Sequence, residues 1–208
     1  MIRIIGERKR EYHMFKNQLS LLFVLLFIQH SFGQTLKYDI VLFNKKIGET
    51  SVSKIDKGNG MILYQLHTQS EAKVLFITKR SQMNADIWYK NGELHSSSFY
   101  ANNDEGENLQ KVIKTHDGYI LDRNGVRQNL RRAIRHSSIH LYFSEPTILT
   151  SIFSERLGEF FNVEKIAAAE YKSVVKNVSS YYRYANGKLV ELEMSKPTGS
   201  AYLRLAKN

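Results

Sequence analysis

Four dipeptides with one backbone demand recur along this chain: Asn91-Gly92, Asp117-Gly118, Asn124-Gly125 and Asn186-Gly187, joined by the cluster Lys57-Gly58-Asn59-Gly60. A two-residue hairpin turn that matches strand twist needs positive φ at both central positions, and Asn-Gly or Asp-Gly meets that need at least steric cost. The segments between them alternate in polarity. Leu36, Tyr38, Ile40 and Leu42 share one face of a strand, and the pattern returns at Ile62, Tyr64 and Leu66, at Ala85, Ile87 and Tyr89, and at Val190, Leu192 and Met194. Period-2 runs punctuated by hairpin turns predict an antiparallel meander. The expected strand starts are near 35, 46, 61, 72, 85, 95, 109, 119, 126, 159, 170, 180, 188 and 200.

So many consecutive strands must close or curl, because a long free edge invites aggregation. The fold class expected is therefore all-β, mainly antiparallel: a strongly curved meander sheet or partial barrel with one short helix packed against it. The helix is expected over Thr147–Leu157, where Ile148, Leu149, Ile152 and Phe153 fall at helical spacing. Ser144 would cap it, Pro146 would suit its first turn and Gly158 its exit.

A second feature sets the destination. Leu19 to Ile28 is a ten-residue apolar run after Lys16, closed by Ser31-Phe32-Gly33. A basic flank, a short apolar core and small residues before a cut form a secretory signal, and the run is too short for a span of about 20 residues. Residues 1–33 are read as a signal peptide cleaved before Gln34, with Met14 as an alternative start, and residues 34–208 as a single domain. Export places the product in the periplasm or outside the cell, peripheral to the membrane rather than integral. Removing five Lys/Arg and two Asp/Glu with the leader, from 30 and 20, leaves a mature chain of +7. That charge is spread out, unlike the basic patch of a nucleic-acid binder. Zero cysteine excludes disulfides, thiolate metal sites and a Cys nucleophile.

No G-x-S-x-G elbow, H-E-x-x-H, P-loop or G-x-G-x-x-G occurs. His136, His140 and Glu145 form the one metal candidate, since imidazole and carboxylate can hold Zn²⁺; Leu141-Tyr142-Phe143 reads as strand, which would string them out. Arg123, Arg127, Arg131, Arg132 and Arg135 could hold an anion or simply solvate a face. Glu145 and Glu155 could act as a carboxylate pair, or serve the helix start and pair with an Arg or a backbone amide at its end. Trp88, Tyr100, Tyr142, Tyr171, Tyr182 and Tyr184 are the candidate ligand-binding residues; on strands they either line an apolar cavity or fill the core.

The order Tyr38-Asp39-Ile40, Ile47-Gly48, then His140-Leu141-Tyr142-Phe143-Ser144-Glu145-Pro146, Phe153-Ser154-Glu155 and Gly158, ending in Tyr171 and Tyr182-x-Tyr184-x-Asn186-Gly187, resembles a secreted Bacteroidetes-type family known as a domain of unknown function. The resemblance covers most of 35–207 and implies export and an all-β domain; it implies no catalytic residues and no cofactor. The expected function is that of an exported, non-enzymatic binding or cell-envelope accessory protein. It would hold an apolar or amphipathic, lipid-like ligand in its curve, or contact an envelope protein. A metal-dependent or carboxylate-based hydrolase and a purely structural envelope interaction protein are the alternatives.

Overall fold

The computed structural model describes residues 33–74, 77–104, 106–148, 151–196 and 199–207. The expected leader lies outside the described residues, except for Gly33. Eight strands run first: β1 (Gln34–Leu42), β2 (Lys45–Gly58), β3 (Met61–Val74), β4 (Ile77–Lys90), β5 (Glu93–Asn103), β6 (Gly106–Thr115), β7 (Gly118–Arg123) and β8 (Val126–Leu130). A 3₁₀ turn (Ser138–Tyr142) and the small hairpin β9 (Ser151–Ser154) and β10 (Glu159–Asn162) follow. The chain closes with β11 (Glu164–Ala167), β12 (Glu170–Val175), β13 (Val178–Ala185), β14 (Lys188–Lys196) and β15 (Gly199–Leu205).

Among the described residues, 13 strands make one antiparallel sheet in the order β11-β12-β13-β14-β15-β1-β2-β3-β4-β5-β6-β7-β8. The sheet does not close into a barrel: β11 and β8 stand at its two ends. Its turns follow the sequence. Asn59-Gly60, Asn91-Gly92, Asn124-Gly125 and Asn186-Gly187 all have positive φ at both residues, the geometry of a type I′ hairpin. The Asp117-Gly118 turn differs, because only Gly118 has positive φ there. The separate strand starts expected near 72 and 85 do not exist; β3 and β4 are each 14 residues long and pair without a break.

Period-2 alternation sorts side chains onto two faces. One inner row crosses five strands in register: Ile40, Leu203, Leu192, Tyr182 and Tyr171. Another runs through Leu36, Val52, Leu66, Ala85, Phe99 and Gln110. The sheet curves around the segment between β8 and β11, whose Ile134, Ile139, Leu141, Ile152 and Phe153 are all buried with those rows. Within the 3₁₀ turn, Tyr142 meets Tyr38 edge-on with ring centroids 5.5 Å apart. From the same turn His140 lies 5.0 Å from Tyr64 and 4.6 Å from Tyr89. Strands β1, β3 and β4 are thus drawn onto one short turn.

Among the described residues the helix expected over Thr147–Leu157 is not formed; Leu149 of its stripe lies outside them. Ile148 is 90% exposed, so the supposed apolar stripe has no core to face. Ile152 and Phe153 are buried as neighbours in β9, which pairs with β10, and Phe153 also bridges Ser137. Residues 155–158 form the turn between them, held by the Leu157 N–H on Ser154 Oγ at 3.1 Å and the Gly158 N–H on the Ser154 carbonyl at 2.8 Å. The helical element lies earlier, at Ser138–Tyr142, in the stretch around Leu141-Tyr142-Phe143 that the alternation assigns to a strand.

Candidate functional site: a polar groove on the outer sheet face

Two places concentrate polar side chains, and they differ in exposure. The first is the junction beneath the 3₁₀ turn. The Tyr89 hydroxyl donates to Ser137 Oγ at 2.8 Å, and the Ser137 N–H donates to His140 Nδ1 at 3.2 Å, three residues on. Histidine here takes the place that Glu or Gln fills in a capping box. Burial pushes the His140 ring down to about 4, with His136 adding repulsion. Glu155 reaches in from the β9–β10 turn: Ser138 donates its hydroxyl to the carboxylate, and the Ile139 N–H donates at 3.4 Å. Burial raises the Glu155 carboxyl above the usual range, against those bonds. Gln110, itself buried, gives Nε2 to the Glu155 carbonyl at 2.6 Å and takes the Arg123 guanidinium on Oε1. A serine, a histidine and a carboxylate thus come close together. Ser137 and Glu155 are 0% and 2% exposed, while Ser138 and His140 are half-buried, and the cluster joins two backbone segments.

Three of the four candidate tyrosines of this interior are hydrogen-bonded within the protein. Tyr182 shares a hydrogen bond with Ser173 at 3.2 Å, Tyr184 donates to the Leu141 carbonyl at 2.9 Å, and Tyr171 donates to Glu145 Oε1 at 2.7 Å. Tyr142 packs on Tyr38. The metal candidates are not gathered: His136 and His140 meet edge-on with centroids 5.9 Å apart, while Glu145 is engaged by Tyr171. Among the described residues no group of three His, Asp or Glu is placed to hold a metal ion. Three of the five arginines of the run also have protein partners. Arg123 binds Gln110 and the Leu157 carbonyl, Arg127 pairs with Asp122 at 3.0 Å, and Arg132 covers the Phe160 ring at 3.8 Å.

The second place lies on the opposite face of β2–β5, where the remaining two candidates stand. Ser53, Gln65, Asp86 and Ser98 are in register across four strands, and the next row is Ser51, His67, Asn84 and Tyr100. Together they line an open groove of about 450 Å³. Its floor is braced by cross-strand bonds, Gln65 Nε2 to Asp86 Oδ1 at 2.8 Å and His67 Nδ1 with Asn84 Oδ1 at 2.6 Å. Tyr100 stands at one border, its hydroxyl donating to Glu107 Oε1 at 2.9 Å. Trp88 is one row beyond, paired across β3 and β5 with Leu63 and Ser96, and half-buried. Its indole N–H has no protein partner among the described residues. Sequence reasoning singled out Trp88 and Tyr100 but missed the polar floor; the signal was present in the outward positions 51, 53, 65, 84, 86 and 98, which are Ser, Gln, Asn or Asp without one Lys or Glu.

No curated protein and no solved structure matches the chain. A family model does, over residues 38–206, from the second inward residue of β1 to just past β15. The matched stretch takes in both the junction and the groove, so the chain belongs to the family described as the domain of unknown function DUF6134.

Proposed function

We propose that the chain is an exported, non-enzymatic binding domain of the cell envelope that takes its ligand on the outer face of β2–β5. One observation carries this reading: the groove is polar, open and bordered by Tyr100, with Trp88 one row beyond, while the inner face is filled by Ile134, Ile139, Leu141, Ile152 and Phe153 of the chain itself. Its volume falls in the range of small-ligand pockets, and its polar groups supply the orienting contacts such sites use, although it is more open and more polar than most of them. Export rests on the basic flank, apolar run and small-residue close of residues 1–33.

Trp88 is the single tryptophan of the chain, so its emission reports on this face alone. The test is native mass spectrometry of residues 34–208 made in an exporting host, paired with Trp88 fluorescence. An adduct whose release shifts Trp88 emission supports the reading. An adduct released without any change at Trp88 moves the site elsewhere. A second reading, an envelope protein that works by contact alone, is favoured by Phe43, Ile77 and Val126, which are 69%, 62% and 74% exposed at turns on the same end of the sheet. It predicts a clean mass and a cross-linked partner at those turns.

A further inference from the structure

We infer that the outer-face groove is a track for a short neutral oligosaccharide, read through its hydroxyls and stacked on Tyr100 and Trp88 at its opposite ends. The inference rests on the reading that this face binds a ligand, and it assigns the ligand's class.

The chemistry of the floor comes first. In a mature chain of +7, a merely solvated sheet face would carry lysine and glutamate. The floor instead holds serines, two amides, one carboxylate and one imidazole, and no cation lines it. Phosphate or carboxylate ligands are taken by Arg or Lys, and no such group is there to take them. The nearest cations on that face, Lys37 and Lys111, pair with Ser51 and Ser98 at the two borders.

The floor is also set in place. Gln65 uses one amide hydrogen on Asp86, which leaves its carbonyl oxygen, and Asp86 keeps its second carboxylate oxygen. Asn84 accepts from His67 Nδ1 through Oδ1, which leaves its NH₂ group. Donors and acceptors therefore alternate over one surface, and a vicinal diol, each hydroxyl giving and taking a bond, complements such a surface. A peptide would seek unpaired backbone at a sheet edge. Here every strand from β2 to β5 is paired on both sides, so the face offers side chains only.

Aromatic placement agrees. Sugar rings present C–H faces that pack on the electron-rich face of an aromatic ring, as other flat ligands do. Trp88 lies four residues along β4 from Asn84, the partner of Tyr100, a backbone offset of about 13 Å along the strands. The lining crosses four strands, a width of about 14 Å at the usual strand spacing. Those spans suit a chain of several sugar units better than one monosaccharide.

The test titrates residues 34–208 with cellohexaose, xylohexaose, mannohexaose, laminarihexaose and chitohexaose, with polygalacturonate as the anionic comparison, following Trp88 emission and heat. At least one neutral hexaose is expected to bind with a dissociation constant between about 1 μM and 1 mM. Affinity should be unchanged by raised salt, since no ion pair is formed. Gln65→Ala and Tyr100→Ala should each weaken it by about tenfold or more, about 1.4 kcal/mol. Tyr182→Phe, in the interior, should leave it intact. Gln65 is exposed, so its loss does not disturb the core, and circular dichroism checks each variant. Binding of polygalacturonate alone, or sugar binding indifferent to Gln65 and Tyr100, overturns the proposal. If no hexaose binds at millimolar concentration while an envelope-derived adduct still depends on Gln65, the carbohydrate class falls and the binding reading stands. If no hexaose binds and no adduct appears, both fall.

Discussion

Ser138 gives its hydroxyl hydrogen to the carboxylate of Glu155, a residue 17 positions later that is almost fully removed from water. The β9–β10 turn is thereby tied to the first residues of the 3₁₀ turn, and the tie has a pH signature. Because burial raises the folded carboxyl above 4.5, the folded state holds its proton longer than the unfolded chain does. Stability from this group is fully present below pH 4.5 and is lost as pH rises through the folded value. Glu155→Gln keeps an acceptor for the Ile139 N–H and cannot ionise. Its urea midpoint should match or exceed wild type at neutral pH, with the advantage vanishing in acid. A wild type that gains on the variant as pH rises would reverse the assignment.

His140 has the opposite slope. Its folded value is lowered from 6.5 to about 4, so the unfolded chain takes up the proton first. Its contribution is intact above pH 6.5 and drains away as pH falls toward 4, by on the order of 2–3 kcal/mol once partial exposure of the ring is allowed for. His140→Phe should remove that limb of the pH profile and cost roughly 0.5–2 kcal/mol at neutral pH for the lost capping bond. An unchanged acid limb in the variant would assign it to another group.

Tyr184 tests whether the interior tyrosines hold the fold or await a ligand. Its hydroxyl meets the Leu141 carbonyl, and Tyr184→Phe leaves that buried acceptor without a partner. The cost should be about 1–3 kcal/mol in urea unfolding, with ligand binding on the outer face unchanged. A variant as stable as wild type would mean that the carbonyl finds water there.

Gly48 is fixed by space, not by backbone angle. It faces Ser70 in the β2–β3 ladder, where a Cβ would overlap the Gln69 carbonyl oxygen and the Ser70 backbone. Gly48→Ala should therefore force the strands apart and cost well over the ~1 kcal/mol typical of a point substitution. Gly125→Ala, with positive φ but open space, should cost only about 1–2 kcal/mol. Thermal unfolding of the pair orders the two effects; equal losses would contradict the steric account.

The sheet was legible because its turns announce themselves: Asn91, Asn124 and Asn186 adopt positive φ beside glycine, and the strands between them alternate cleanly. The segment between β8 and β11 was not legible, since Ile148, Leu149, Ile152 and Phe153 satisfy a helical period while the last two are buried as adjacent strand residues. Over so short a run, periodicity cannot separate a bridge such as Ser137 to Phe153 from a helix turn. Glu155 was expected beside an arginine or a backbone amide. It does meet an amide, that of Ile139, but through tertiary contact that no local spacing encodes. At the groove, Trp88 is out of phase with the inward Ile87 and Tyr89, so alternation already sets it on the outer face. Grouping it with the inward tyrosines hid that difference.

The placement of β1 beside β15 has a consequence for how the chain acquires its shape. Successive hairpins can assemble β1 to β8 from near neighbours, yet the Tyr38 hydroxyl must reach the carbonyl of Leu189, 151 residues away. Such distant pairings slow folding, because loop closure costs entropy before contacts reward it. The central seam forms only after the last strands are available, so a chain still on the ribosome is held open at its middle, and truncation of β15 leaves β1 and β14 each without one neighbour.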